Sequence, residues 1–325
     1  LNVRGIALFS GGLDSIIAVK VIQEQGIDVL GLTFSTPFFG ARKARAAAAQ
    51  IRLRLDVLDI TEEHLAMLRA PKYGYGRNMN PCIDCHTLML KKAGEKMLTS
   101  GADFIFTGEV LGQRPMSQTR QSLHIVAKNS GFEPFILRPL SARLLPVTRP
   151  EADGIVDRSR LLDIQGRGRK KQMELAAHFG ITKYSNPAGG CLLTDSIFSR
   201  RLRDLFDQPG DVRIRDLELL KYGRHFRVSD GIRVIVGRNQ RDNDMLLKWS
   251  DPSDTIITVR EYPGPVTLVC SCRGERAIGE AASLCALYSD APKDIPVDTL
   301  CKTESLQKIL SVKAADRADM ERWRI

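Results

Sequence analysis

From residue 3 to about 110, short apolar runs alternate with longer stretches of helical period. "VRGIALF" (3–9) reads as a buried strand, "SIIAVKVIQEQG" (15–26) as a helix closed by Gly26, and "DVLGLTF" (28–34) as a second strand. "ARKARAAAAQIRLRL" (41–55) is helical by propensity and keeps its basic residues together. "LDVLDI" (55–60) and "ADFIFTG" (102–108) supply further strands. This alternation predicts an α/β class, a doubly wound parallel sheet covered by helices on both faces.

Beyond about residue 138 the strand signal fades and basic residues collect. "RSRLLDIQGRGRKKQMELAAHFG" (158–180) contains a loop, Gln165 to Lys171, with four basic residues and two glycines. "IFSRRLRDLF" (197–206) reads as a helix, and "QPGDV" (208–212) as a boundary, so domains are expected over 1–205 and 206–325. In the second, "GRHFRVSDGIRVIVGRNQRDNDMLLKW" (223–249) predicts a β-hairpin with an Asp-Gly turn, then a polar loop and a helix. Strand signal returns in "DTIITVREY" (254–262) and "VTLVCSC" (266–272), before a helix around "IGEAASLCALYSDA" (278–291). The second domain is therefore expected to be a smaller α+β unit with a C-terminal tail.

Charge sharpens this picture. In 325 residues, 48 Lys plus Arg stand against 38 Asp plus Glu, a formal net charge of +10. Such an excess points to a polyanionic partner, nucleic acid before a membrane surface. No stretch approaches the roughly twenty apolar residues that span a bilayer. The first residues are broken by Ser10 and Gly11 too early for a secretory signal, so a cytoplasmic protein is expected. Seven cysteines in a chain of this length suit reduced thiols, metal or redox chemistry better than a disulfide framework.

The turn between the first strand and helix, inside "ALFSGGLDSIIAVKV" (7–21), carries the first chemistry. Ser10, Gly11, Gly12 and Ser15 would offer backbone N–H groups and hydroxyls to an anion, beside the positive end of the helix dipole. Glycines admit close phosphate approach and unusual backbone angles. Asp14 would repel phosphate itself, but makes sense as a ligand for the Mg²⁺ that accompanies a nucleotide.

"SGGLDS" (10–15) resembles the pyrophosphatase-type (PP-) loop of enzymes that split ATP into AMP and pyrophosphate. "TGEVLGQRPMSQTRQSL" (107–123) and "ILRPL" (136–140) resemble the tRNA 4-thiouridine synthetases, whereas "NPCIDCH" (80–86) is similar to the cysteine segment of the tRNA 2-thiouridylases. "VIVGRNQRDNDML" (234–246) and "EAASLCALYSDA" (280–291) resemble the NFACT RNA-binding domain. The resemblance implies ATP and Mg²⁺ as cofactors, tRNA as substrate, and adenylation of a uridine carbonyl oxygen followed by its replacement with sulfur. The longer match favours 4-thiouridine over 2-thiouridine. The sulfur donor would be hydrosulfide or a persulfide made by a cysteine desulfurase; a homodimer is left open. Two rivals stand beside this reading: another adenylating ligase of amidating or lysidine type, and a non-catalytic RNA-binding protein.

Cys82 and Cys85 form a C-x-x-C, and Cys191 lies in "PAGGCLLT" (187–194). The resemblance places cysteines at these positions around the adenylated base. Three chemistries fit: a 4Fe–4S cluster held by Cys82, Cys85 and Cys191 with one open iron, which the presence of Cys85 beside Cys82 favours, a persulfide relay in which a second thiol resolves the intermediate, or structural Zn²⁺. His86 is a fourth zinc ligand in the last case, or a histidine beside the site. Cys270, Cys272, Cys285 and Cys301 read as buried structural thiols.

Gly108, Glu109, Gln113, Ser117 and Gln118 follow the strand "DFIFTG", where open parallel sheets bind ligands, and would orient triphosphate or the target base. Thr33 and Phe34 end the second strand and would border the adenine, Phe34 serving the core equally well. Arg167, Arg169, Lys170 and Lys171 would neutralise RNA phosphates, and Arg238, Asn239 and Asn243 would meet RNA backbone in the NFACT-like segment. An aromatic content of 6% argues against an extended base-stacking surface. Recognition of tRNA shape, with one uridine drawn into a pocket, is expected instead.

Overall fold

The computed structural model describes residues 3–184, 191–271 and 274–325. The chain divides into two compact units, Leu1–Asp195 and Ser196–Ile325.

The first unit runs β1 (Arg4–Leu8), α1 (Leu13–Gln23), β2 (Asp28–Ser35), α2 (Arg42–Gln50), β3 (Arg54–Asp59), α3 (Thr61–Arg69), α4 (Cys82–Ser100), β4 (Phe104–Thr107), α5 (Arg120–Ser130), β5 (Ile136–Leu137), α6 (Arg149–Ala152) and α7 (Lys170–His178). Its sheet has five strands in the order β3-β2-β1-β4-β5, all parallel. Alternation along the strands sends side chains to two cores. Ile6, Leu32, Phe34 and Ile105 pack with Leu90, Met97 and Val126 from α4 and α5. Ala7, Phe104 and Phe106 pack with Ile16, Ile17 and Val21 of α1 and Ala176 of α7. The strand order reverses at β1, so the crevice beyond the carboxyl ends of β1 and β4 is where such a sheet opens for a ligand.

The second unit runs α8 (Ser196–Phe206), α9 (Ile214–Leu219), β6 (Arg224–Arg227), β7 (Arg233–Val236), α10 (Gln240–Lys248), β8 (Thr255–Val259), β9 (Thr267–Val269), α11 (Glu275–Leu287), β10 (Val297–Lys302), β11 (Gln307–Val312) and α12 (Arg317–Trp323). Its six strands, in the order β11-β10-β8-β9-β7-β6, are antiparallel. Phe226, Val234, Ile257 and Val269 of this sheet are buried with Ala281, Ala282 and Cys285 of α11. The expected hairpin forms: β6 and β7 pair from Arg224↔Val236 to Arg227↔Arg233, turning at Asp230 (φ 57°) and Gly231 (φ 70°).

Two expectations are corrected. The division falls after Asp195, earlier than 205, because α8 packs within the second unit. There Arg201 donates to the Leu220 and Gly223 carbonyls at 2.8 and 2.9 Å, and Arg227 Nε donates to Asp204 at 2.9 Å. The C-terminal residues are not a tail but the β10/β11 hairpin and α12. Cys285 and Cys301 are buried, the Cys285 thiol reaching the Ile257 and Pro265 carbonyls at 3.6 Å. Cys270 follows the end of β9, and Cys272 lies outside the described residues.

Candidate active site

The glycine turn sits at the carboxyl end of β1, at the switch point. Gly11 has φ 74°, and a Cβ there would lie 2.6 Å from the Lys43 carbonyl oxygen and 2.8 Å from Ala44 Cα. Backbone rather than a movable side chain stands in the way, so only glycine fits. Ser15 Oγ donates to the Gly12 carbonyl at 2.8 Å, and Gly12 N donates to Ser10 Oγ at 3.3 Å. The hydroxyls of Ser10 and Ser15 lie 3.4 Å apart, so the turn gathers the groups expected to face an anion.

The loop after β4 closes against it. A Cβ on Gly108 would meet Ser15 N at 2.6 Å and Ser15 Cα at 2.7 Å, so this loop packs on the first turn of α1 through a bare backbone. From there Gln113 Nε2 donates to Asp14 Oδ2 at 3.2 Å. Asp14 Oδ1 is buried without a hydrogen-bond partner. Burial pushes the Asp14 pKa up, against the Gln113 hydrogen bond and the charges of Arg169 and Arg114. The Gln172 amide on α7, wholly buried, lies near enough to favour the Asp14 charge, yet neither of its polar atoms is hydrogen-bonded. Unpartnered buried atoms on both sides suit a bound cation and its nucleotide. Asp14 fits the Mg²⁺ expected of it.

Glu109 departs from its expected place beside the ligand. It is 8% exposed, and both oxygens are engaged inside the protein. Oε2 accepts from Arg138 Nε and Thr107 Oγ1, each at 3.0 Å, while Oε1 lies 3.1 Å from His86 Nδ1. Burial opposes its charge, but the Arg138 guanidinium and His86 more than offset that and hold the carboxyl at about 2. An ionised carboxylate only accepts, so His86 donates through Nδ1. Glu109 thus fixes the histidine beside Cys85. Ser117 and Gln118 are also buried; Gln118 N donates to the Arg114 carbonyl at 2.9 Å, and its own carbonyl accepts from Gly112 N at 2.7 Å. Thr33 is buried at the end of β2, and Phe34 belongs to the core beneath α4.

The C-x-x-C starts α4, and Cys191 opens the short helical turn 192–194. Each thiol is pushed up chiefly by burial. Cys191 and Cys82 raise Cys85 further, and Cys82 raises Cys191, so the three share one locale. Cys85 Sγ also lies 3.6 Å from Nε2 of the buried His64, whose ring is 5.4 Å from those of both Phe38 and Phe39. Burial holds His64 near pKa 4, hence neutral. Among the described residues no group of three His, Cys, Asp or Glu side chains is arranged to hold a metal ion. The thiols are gathered, but neither the expected cluster nor zinc finds a built set of ligands. Burial raises both Asp14 and Cys82, and the charge of Arg114 offsets part of that rise at each.

The basic residues part company. Arg169 turns toward Asp14, and Lys171 pairs with Asp163 at 3.2 Å, leaving Arg167 and Lys170 exposed. In the second unit Arg238 Nε donates to Asp242 at 2.6 Å, Asn239 caps α10 by accepting from Asp242 N, and Asn243 Oδ1 accepts from Val266 N at 3.1 Å. These three side chains are tied within the unit; Arg238 keeps 44% of its side chain exposed, and Asn239 is exposed as well. Sequence reasoning missed Arg114, Arg138, His64 and Gln172. Arg114 and Arg138 lay within the quoted motifs, whereas His64 and Gln172 carry no local signal.

The first unit thus combines a parallel α/β sheet, a glycine turn at its switch point and three thiols that share one locale. Residues 2–143 match the family model described as thiamine biosynthesis protein (ThiI), and residues 223–324 match that of the NFACT protein RNA-binding domain. Both resemblances read in the sequence are thereby borne out. Curated relatives include the tRNA-specific 2-thiouridylase MnmA of Methylobacterium nodulans, 25% identical over 255 residues, covering 71% of this chain and 62% of that protein. The MnmA of Listeria welshimeri is 24% identical over 242 residues (69% and 61%), and a probable tRNA sulfurtransferase of Thermoanaerobacter sp. is 27% identical over 150 (43% and 37%). The chain thus spans about three fifths or less of the length of these relatives. Among solved structures, a 4-thiouridine synthetase–RNA complex with bound ATP is 20% identical, with TM-score 0.34, covering 55% of this chain and 51% of that one.

Proposed function

We propose that this chain is an ATP-dependent tRNA thiolation enzyme. ATP lies on the turn from Ser10 to Ser15, with Arg114 and Arg169 offsetting phosphate charge and Asp14 holding Mg²⁺, which would neutralise the phosphates further. A uracil carbonyl oxygen attacks the α-phosphorus, the α–β phosphoanhydride bond breaks, and pyrophosphate leaves. Sulfur then bonds to the same carbon, the carbon–oxygen bond breaks, and AMP departs. In the thiol-relay form, the terminal sulfur of a persulfide on Cys82 or Cys191 attacks that carbon. A second thiol then cleaves the S–S bond, leaving sulfur on the base and a protein disulfide that an external dithiol reduces.

The observation that carries this reading is the glycine turn itself, closed by Gly108 against the Ser15 backbone at 2.6 Å and by Gln113 donating to Asp14 at 3.2 Å, in the same unit as the thiols of Cys82, Cys85 and Cys191. An adenylating ligase of amidating or lysidine type needs no thiols there. The product is assigned as 4-thiouridine on the longer motif, residues 107–123. The test incubates the anaerobically purified chain with ATP, Mg²⁺ and tRNA, in parallel with sulfide and with a cysteine desulfurase plus cysteine, which delivers sulfur already at the persulfide level. It measures tRNA-dependent pyrophosphate release and retardation of the tRNA in a mercury-containing gel, and identifies the nucleoside by mass spectrometry. Iron and sulfide assays on the same protein decide between cluster and relay. Pyrophosphate release that persists after Cys82, Cys85 and Cys191 are all changed to Ala, with no thiolated product from the wild-type chain, refutes thiolation.

A further inference from the structure

Ahead of Cys82 runs the loop 71–81, "PKYGYGRNMNP", which no step above uses. Tyr73 and Tyr75 are each 40% exposed, and Tyr262 is the one other exposed tyrosine among the described residues. Both rings are held by their hydroxyls. Tyr73 Oη accepts from Asn129 Nδ2 at 3.0 Å, and Tyr75 Oη donates to the Leu68 carbonyl at 2.6 Å.

The backbone beneath them is pinned at both ends. Lys72 N and Tyr73 N donate to the two carboxylate oxygens of Asp84 at 3.1 and 3.0 Å, and Asp84 sits between Cys82 and Cys85. At the far end Asn78 Nδ2 donates at 2.8 Å to the carbonyl of Thr194, just beyond Cys191. The loop is therefore tied to both cysteine-bearing segments. Lys72 Nζ stands 5.4 Å from the centre of the Tyr73 ring, and Arg77 is exposed with no ion pair or hydrogen bond among the described residues.

We propose that loop 71–81 is a stacking clamp for single-stranded RNA, in which nucleotides flanking the target uridine lie on the Tyr73 and Tyr75 rings while Lys72 and Arg77 neutralise their phosphates. This rests on the RNA-modifying reading above. A base presented to the thiols must leave its stack, and neighbouring aromatic faces restore what it loses. Rings already fixed by their hydroxyls surrender little freedom on binding. Two rings suffice for such a local clamp, consistent with the low aromatic content.

The test measures binding of an unmodified tRNA transcript to the full chain by fluorescence anisotropy at fixed salt, with ATP affinity as the control. The Tyr73→Phe/Tyr75→Phe variant keeps both rings but loses their hydroxyl anchors, so it should bind more weakly than wild type by only about two- to threefold. Tyr73→Leu/Tyr75→Leu should bind at least about tenfold more weakly, with ATP affinity unchanged. Arg77→Gln should lower the salt dependence by about one phosphate contact. Equal binding by the Leu pair and wild type overturns the clamp alone, as does equal loss in the Phe and Leu pairs. Absence of tRNA binding by the wild-type chain overturns the functional reading, and the clamp with it.

Discussion

Replacing Glu109 by Gln removes one charge from the centre of the site while keeping the side-chain volume. Arg138, 8% exposed at its side chain, then loses its anion, and His86 loses the acceptor that fixes it. Each tenfold change in proton affinity is worth about 1.4 kcal/mol, so the fall from 4.5 to about 2 corresponds to about 3 kcal/mol of folded-state stabilisation of the charged form. Breaking a buried ion pair by removing one partner costs about 3–5 kcal/mol, which agrees. Glu109→Gln should therefore destabilise the first unit by about 3 kcal/mol at pH 7. Because the folded pKa is depressed, this stabilisation is complete above about 4.5 and is lost as pH falls through about 2. Wild type and variant should converge on acidification. Hydrogen exchange read by mass spectrometry across a urea series follows peptides of the first unit. Tryptophan fluorescence follows the second, since both tryptophans, Trp249 and Trp323, lie there. A loss under about 0.5 kcal/mol, or a gap that stays constant from pH 7 to 2.5, refutes this reasoning.

Gly108→Ala drives a methyl into the α1 backbone at 2.6 Å and should cost about 1–3 kcal/mol. It should also open the nucleotide turn, so that ATP affinity measured by calorimetry falls; wild-type affinity would overturn the packing argument. His64 has a folded pKa near 4 against an ordinary 6.5, so only the unfolded chain takes up its proton between them. Stability should decline by up to about 3 kcal/mol as pH falls across that window, and His64→Leu should flatten the decline in urea titrations at several pH values. Asp84→Ala frees the amides of Lys72 and Tyr73, and faster hydrogen exchange confined to residues 71–81 is expected. Unchanged protection there would show that the loop is held by something else.

Much of this site could be read from residues that act locally. The turn from Ser10 to Ser15 announces itself because strand, glycines and helix follow one another without interruption. Gln113 reaches Asp14 at 3.2 Å because its loop follows the neighbouring strand of the parallel sheet. The β10/β11 hairpin also had a signal that went unread: Val297, Thr299 and Cys301 alternate inward with polar residues between them. Glu109 looked like a ligand-facing carboxylate, and nothing in its own segment shows that Arg138, far along the chain, neutralises it in the core. Arg169 read as one of four like charges on a loop, yet it faces Asp14 because α7 packs beside α1.

The sequence alone determined β1, α1, β2, α2, β3 and β4 of the first unit, the glycine turn, the C-x-x-C and the β6/β7 hairpin. Each depends on backbone propensity and side-chain period within a few residues. Only the tertiary structure decided which carboxylate is buried, and that Arg138 and His86 are its partners. The physical reason is the sheet order β3-β2-β1-β4-β5, which brings the loops after β1 and β4 together at the switch point. A pKa or an ion pair there is set by neighbours tens to a hundred residues away, which no local pattern encodes.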